Sequence, residues 1–155
     1  ALKESLKQEK FRIIYHSSMD AGEEEIEEIN QIIRLTMIRS SDDTAAHNNV
    51  LLVFEECQNY SNVHKLPKYM RKCLLIGRHY GVACIFTSQR PGEVHKTILS
   101  QSHNVFAGTV AEPNDVKYLS QRLGDEAEEL AEIPERTFLL HRLREPIKKV
   151  KNTLD

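Results

Sequence analysis

Two adjacent carboxylates, Glu55 and Glu56, are the residues whose types and spacing most directly suggest chemistry. They follow Val50–Phe54, which is apolar at every position and is typical of a parallel strand covered on both faces. Polar residues after such a strand lie at the sheet edge where ligands bind. One carboxylate there can help hold Mg²⁺, and a second can orient an attacking water. The alternative interpretation is that two acids only mark a strand end entering solvent.

A second polar cluster, made of Ser88, Gln89 and Arg90, follows the apolar run Val82–Thr87. If the two apolar runs are neighbouring parallel strands, the Gln89 amide ends close to the carboxylates. Its donor and acceptor can then sense a phosphate group and position water. The alternative is a polar turn that precedes Pro91. The order of acid pair, basic helix and polar cluster is more specific than either cluster alone.

Arg78 lies in the segment Gly77–Gly81, just before the second apolar run. An exposed Arg at this point can stabilise transition-state charge on the nucleotide of a neighbouring subunit, as an arginine finger does. The alternative is a base at the end of a helix, interacting with the helix dipole.

The elements around these residues follow a repeated strand–helix pattern. Up to the second apolar strand we predict, in chain order, a helix over Ala1–Lys10, a strand over Phe11–His16, a helix from Asp20 to Arg39, a loop over Ser40–Asn49, the first apolar strand and a helix over Lys65–Tyr80. After the second apolar strand we predict a helix over Glu93–Gln101, a strand over Asn104–Val110, a helix from Pro113 to Gly124, an acidic helix from Asp125, a strand over Arg136–His141 and a basic tail. This order predicts an α/β fold with a mostly parallel sheet flanked by helices.

The composition is that of one ordinary globular domain. The 155 residues are 40% hydrophobic and 28% charged, with a net charge of −2. No apolar run approaches the roughly 20 residues that span a bilayer, and the N-terminus lacks a signal-peptide pattern. We therefore expect a cytoplasmic protein that does not associate with membranes. The cysteines, Cys57, Cys73 and Cys84, are odd in number and widely spaced, which predicts buried free thiols and no zinc site.

Several motifs together resemble the FtsK/HerA superfamily of P-loop ATPases that translocate DNA, and most of all its HerA-like and phage or plasmid ATP-binding branch. The resemblance covers roughly residues 11–144. The motifs that carry it are Leu51–Glu56, Gly77–Gly81, Ser88–Pro91, Ile98–Gln101, the strand over Asn104–Val110 and the helix start Glu112–Asp115. The resemblance implies a RecA/ASCE-type sheet, with ATP and Mg²⁺ bound at the ends of its strands.

The resemblance also implies roles for individual residues. Glu55 takes the place of the first Walker B carboxylate and would contact Mg²⁺, although the usual residue is Asp and Glu is one methylene longer. Glu56 takes the place of the catalytic carboxylate. Gln89 takes that of the sensor at the strand end, with Ser88 and Arg90 beside it in contact with the nucleotide.

Arg78 takes the place of an arginine finger that acts on a neighbouring subunit. The resemblance therefore implies a homo-oligomeric ring, commonly a hexamer, with DNA threaded through its centre. The bases of the predicted helix Lys65–Tyr80 are candidates for DNA phosphate contacts. A solvated helix face is the alternative.

The sequence departs from the family because it contains no GxxxxGK[ST] motif and no Gly-Lys pair. We therefore expect a fragment that begins downstream of the phosphate-binding loop and lacks the strand before that loop. In the family's sheet that strand lies between those that here begin at Val82 and Asn104. The expectation for residues 1–155 is a single, partial ATPase core domain with weak or absent ATP binding by itself.

The function expected from these motifs is that of an ATP-driven motor domain for DNA translocation, packaging or processing. Two alternatives stay open. One is a catalytically silent or truncated ATPase-fold module that serves interactions. The other is a P-loop ATPase for phage assembly, as in Zot-like proteins, with no DNA track.

Overall fold

The computed structural model describes residues 14–15, 22–40 and 49–152. The predicted helix over Ala1–Lys10, most of the predicted strand over Phe11–His16 and most of the predicted loop over Ser40–Asn49 lie outside these residues. The helices are α1 (Glu23–Ser40), α2 (Lys68–Ile76), α3 (Lys96–Gln101) and α4 (Pro113–Leu123), and the strands are β1 (Val50–Phe54), β2 (Val82–Phe86), β3 (Asn104–Ala107), β4 (Thr137–Arg142) and β5 (Lys148–Lys151). Short 3₁₀ segments cover Cys57–Asn59, Gly77–Tyr80, Pro91–Glu93 and Gly124–Ala131. This alternation confirms the predicted α/β class.

The chain forms two compact units, the first ending at Ser88 and the second beginning at Gln89. The predicted single core domain stays a prediction. Among the described helices, none is both long enough and apolar enough for a membrane crossing.

In the first unit, β1 and β2 pair in parallel and in register. Val50 lies opposite Val82 and Phe54 lies opposite Phe86. The rings of this last pair stack with centroids 4.9 Å apart. Because the two strands end level, the residues that follow them lie side by side, as the sequence predicted.

The two faces of this sheet differ in burial. Val50, Phe54 and Val82 are buried, whereas Leu51 is 56% exposed and Val53 is 52% exposed. The predicted burial of β1 on both faces is therefore wrong. Successive side chains of a strand alternate between faces, so an uninterrupted apolar run does not ensure that both faces are covered.

Helix α1 begins with three acids, whose charge is favourable at the positive end of the helix dipole. Its buried Ile29, Ile33 and Met37 recur every four residues and form one apolar stripe. Helix α2 packs against α1 and contributes the buried Met70 and Cys73. Helices were predicted from the sequence at both of these places.

A buried amide joins the two helices. Pro67 precedes α2 and supplies no side-chain cap. Instead, the Oδ1 atom of Asn30 in α1 accepts a hydrogen bond of 2.8 Å from the Tyr69 N–H. This bond satisfies one of the free N–H groups in the first turn of α2.

In the second unit, β3, β4 and β5 form an antiparallel sheet in that order. Parallel pairing is thus found in the first unit alone among the described residues. One core cluster consists of Leu99, Val105, Ala107, Leu119, Leu123, Ala127, Leu130, Ile133 and Leu139. The sequence predicted a tail where β5 forms, because its residues, Lys-Lys-Val-Lys, contain a single apolar side chain. The predicted acidic helix is a 3₁₀ segment, and β3 ends three residues early, at Ala107.

All three cysteines are free, as predicted, with Cys57 and Cys73 buried and Cys84 half-buried. Burial raises the pKa of the Cys57 thiol to about 12. A hydrogen bond with Cys84, together with burial, raises the pKa of the Cys73 thiol.

Candidate functional site

The carboxyl ends of β1 and β2 are fastened to each other by main-chain contacts beyond the strands. The Thr87 N–H donates to the Phe54 carbonyl at 3.0 Å, and the Cys57 N–H donates to the Thr87 carbonyl at 2.9 Å. The Glu56 N–H donates to the Thr87 hydroxyl oxygen at 3.3 Å. The backbone that carries Glu56 is therefore held to the end of the neighbouring strand.

Glu56 adopts a left-handed backbone conformation, with φ 48° and ψ 52°. This conformation costs a non-glycine residue roughly 1–2 kcal/mol. The 3₁₀ turn that follows begins at the buried Cys57, whose carbonyl accepts a hydrogen bond of 3.1 Å from the Ser61 hydroxyl. The surrounding contacts thus keep Glu56 in a strained conformation at the strand end.

The Glu56 side chain is part of a hydrogen-bonded chain that reaches the other strand. The Gln58 Nε2 atom donates to Oε2 of Glu56 at 2.6 Å. The Ser88 hydroxyl donates to Oε1 of Gln58 at 2.6 Å. The structure therefore connects two predicted site residues, Glu56 and Ser88, through a glutamine that the sequence did not single out.

Glu55 is exposed, and its backbone carbonyl accepts a hydrogen bond of 2.6 Å from the Tyr60 hydroxyl. Among the described residues, no three His, Cys, Asp or Glu side chains are grouped as a metal site. Mg²⁺ in nucleotide sites usually keeps several waters and takes one or two carboxylates besides phosphate oxygens. Two adjacent carboxylates, Glu55 and the half-buried Glu56, fit that kind of site.

Gln89 and Arg90 are exposed and begin the second unit. The turn after Arg90 is held by Asp115, whose buried carboxylate accepts a hydrogen bond of 2.6 Å from the Gly92 N–H. A Cβ atom on Gly92 would lie 2.8 Å from the same oxygen, so this contact requires glycine. This hydrogen bond joins the Pro91-Gly92 turn to the first turn of α4.

Arg90 borders an open cleft of about 350 Å³ in the second unit. Three acids, Glu93, Glu112 and Asp115, line the cleft together with Arg90 and Lys117. Since acids outnumber bases, this cleft does not by itself form an anion site. The nucleotide contacts of Arg90 and Gln89 stay predictions.

Arg78 is exposed in the 3₁₀ turn before β2, at the end of that strand opposite to Ser88. The five residues of β2 separate the two ends by about 16 Å. Gly81 closes the turn with φ 65°, and a Cβ atom on Gly77 would lie 3.0 Å from the Val82 carbonyl oxygen. Glycine is thus favoured at position 81 by the positive φ, and at position 77 by the lack of space for a Cβ atom. The structure does not bring Arg78 and Glu56 together within the first unit.

Four residues that hold the strand ends and the following turn escaped the sequence analysis: Gln58, Tyr60, Thr87 and Asp115. Three of them follow closely on the ends of β1 and β2, and polar side chains at such ends were the available signal. Asp115 belongs to the motif Glu112–Asp115, but its hydrogen bond with Gly92 is visible only in the tertiary structure.

No protein-family model matches the sequence. The chain is 30% identical, in a 122-residue alignment that covers 74% of this chain, to the "Probable DNA double-strand break repair helicase HerA" of Methanocaldococcus jannaschii. It is 34% identical over 86 residues to the DNA double-strand break repair helicase HerA of Saccharolobus solfataricus. The chain spans 24% and 17% of the lengths of these two relatives.

Among solved structures, the genome packaging NTPase B204 of Sulfolobus turreted icosahedral virus 2, in complex with AMPPCP, matches with a TM-score of 0.82. The match covers 100% of this chain and 72% of that one at 16% identity. The DNA-packaging ATPase B204 of Sulfolobus turreted icosahedral virus matches with a TM-score of 0.70 at 18% identity. At these identities the comparison shows a shared fold.

Proposed function

Because the chain is related to the HerA proteins of the FtsK/HerA superfamily, as its motifs predicted, we propose that it is part of an ATP-driven motor that moves or processes DNA. The observation that carries the proposal is the acid pair Glu55–Glu56 at the end of β1, level with the end of β2 and with Glu56 in a strained conformation. Strained residues that the fold maintains are concentrated at functional sites.

In the proposed reaction, the Glu56 carboxylate orients a water molecule and accepts its proton as the water attacks the γ-phosphate of ATP in line. Glu55 would hold Mg²⁺ through water. When bound, this ion neutralises charge on the phosphate oxygens. Ser88, Gln89 and Arg90 are proposed to contact the nucleotide, with Gln89 sensing the γ-phosphate.

The test is the Glu56→Gln variant of the protein expressed from its complete reading frame. We expect ATP turnover to fall at least 100-fold, the usual contribution of a general base, while the Kd for ATP changes less than threefold. Glu132→Gln, at an exposed position in the second unit, is the matched control and should leave both quantities unchanged. Unchanged turnover in Glu56→Gln would overturn the proposed function.

Arg78 is proposed to act on the nucleotide of a neighbouring subunit in a ring. Its exposure, and its place at the opposite end of β2 from Ser88, support a role outside its own chain's site. We expect Arg78→Ala to lower turnover. Mixing it with Glu56→Gln subunits should restore part of the activity, because some interfaces then pair an intact Glu56 with an intact Arg78. A mixture that never exceeds its components contradicts the role in trans.

DNA contact is proposed for the exposed bases of α2, Lys68, Arg71 and Lys72. Lys68 and Lys72 also lie over aromatic rings, 5.7 Å from the Tyr69 centroid and 5.4 Å from the Tyr80 centroid. Contacts to phosphates make affinity fall steeply with salt. DNA stimulation of ATP turnover should accordingly weaken as the salt concentration rises.

A second candidate, a catalytically silent module of the same fold, is favoured by the missing GxxxxGK[ST] motif. ATP turnover separates the two candidates. The motor requires turnover by the protein expressed from its complete reading frame, and the silent module predicts none.

A further inference from the structure

Gln58 occupies the centre of a three-residue chain at the carboxyl end of the parallel sheet. It lies in the 3₁₀ turn Cys57–Asn59, and its side chain is half-buried, as are those of Glu56 and Ser88. Both of its hydrogen bonds are 2.6 Å long, one to the Glu56 carboxylate and one from the Ser88 hydroxyl. The Gln58 amide therefore donates to Glu56, which follows β1, and accepts from Ser88, which follows β2.

The chemistry of the partners fixes the orientation of this amide. An ionised carboxylate only accepts hydrogen bonds, so the NH₂ group of Gln58 must face Glu56. The amide oxygen then faces Ser88, which has a hydroxyl proton to donate. Rotating the amide by half a turn would set its oxygen against the Glu56 carboxylate and lose this bond. Only one orientation of Gln58 satisfies both neighbours.

We propose that Gln58 is a positioning residue that fixes the Glu56 carboxylate and links it to Ser88 at the end of β2. This inference rests on the proposed role of Glu56 in hydrolysis. The rate of an oriented proton transfer depends steeply on placement, and a misplacement of about 1 Å costs about 100-fold. Ser88 directly precedes Gln89. A displacement of Ser88 would therefore be transmitted to the Glu56 carboxylate through the side-chain amide of Gln58.

The kinetic test compares three variants. Gln58→Met keeps the length of the side chain and removes both hydrogen bonds, and Ser88→Ala removes only the outer one. We expect kcat to fall 10-fold to 100-fold in Gln58→Met, with little change in the KM for ATP. In Ser88→Ala kcat should fall less, and the KM for ATP should rise because Ser88 is also a proposed nucleotide contact. Gln58→Glu places a second carboxylate beside Glu56. The acid limb of its pH–rate profile should move to higher pH, since neighbouring like charges favour protonation. That displacement requires residue 58 to lie beside Glu56 in the active protein.

A measurement on the chain itself needs no turnover. In ¹⁵N NMR spectra, the Gln58 Nε2 signal should shift in Glu56→Gln, which replaces its carboxylate partner, and should stay unchanged in Glu132→Gln. A Gln58 signal that does not respond to Glu56 overturns the inference. So does a folded Gln58→Met variant with kcat within twofold of the unmodified protein. If Gln58→Met fails to fold, Ser88→Ala and the NMR response decide.

The two proposals fail in different ways. Full turnover in Glu56→Gln removes the proposed function itself. Lost turnover in Glu56→Gln combined with full turnover in Gln58→Met removes only the positioning role.

Discussion

Glu56 and Gly81 have nearly the same backbone conformation at opposite ends of the parallel sheet. Glu56 follows β1 with φ 48°, and Gly81 precedes β2 with φ 65°. At Gly81 only the backbone is used, because its carbonyl accepts the Val50 N–H at 2.9 Å. At the other end, the Glu56 side chain bonds to Gln58 and the strain is retained. The chain therefore uses glycine where geometry alone matters, and keeps a costly side chain where we propose chemistry.

The largest effect on stability is expected at Gly81. Gly81→Val forces a β-branched residue into the left-handed region, and we expect the free energy of unfolding to fall by about 3 kcal/mol. Gly81→Asn is the matched control, because Asn tolerates this region and should cost less than half as much. Denaturant unfolding measures both. Equal losses for Val and Asn would show that the backbone angle is not the cause.

A smaller effect is expected at Glu56, where introducing glycine in place of alanine should stabilise the protein. Glu56→Ala and Glu56→Gly both lose the bond to Gln58, but only the alanine variant keeps the strain. We expect the glycine variant to be more stable than the alanine variant by about 1 kcal/mol. At Lys117, an exposed position inside α4, the same pair should show glycine less stable by about 1 kcal/mol.

Denaturant unfolding of these four variants tests whether glycine is the more stable residue at position 56 and alanine the more stable residue at position 117. Both Glu56 variants should lack ATP turnover. If alanine is also the more stable residue at position 56, Glu56 is not strained. The comparison between the two sheet ends then loses its basis.

The sequence predicted two neighbouring strands with polar residues at their carboxyl ends, because each apolar run stops at polar or charged side chains. It could not predict the left-handed Glu56, which depends on contacts with Thr87 across the sheet. The contact between Gln58 and Ser88 spans 30 positions and exists only in the observed strand register. The exposure of Leu51 was missed for a related reason, since a strand's own residues do not encode what covers its second face.

The smallest expected effect concerns Cys57, the buried residue that begins the turn after Glu56. Burial, with the neighbouring Glu56 charge adding to it, raises the pKa of this thiol to about 12. In the unfolded chain a thiol titrates near pH 8.5, so above that pH the unfolded state loses a proton that the folded state keeps. Stability is therefore present in full below about pH 8.5 and decreases as the pH rises towards 12.

Between pH 7 and pH 9 this one group should lower the free energy of unfolding by about 0.8 kcal/mol. Denaturant unfolding at both pH values, under reducing conditions, should show this decrease in the unmodified protein and a decrease smaller by that amount in Cys57→Ala. The cavity left by the substitution shifts both values equally and cancels in the difference. An identical pH dependence in the two proteins would mean that Cys57 is not sealed from water. The turn that holds Glu56 would then open in the folded protein, contrary to the rigid strand end on which the proposed hydrolysis depends.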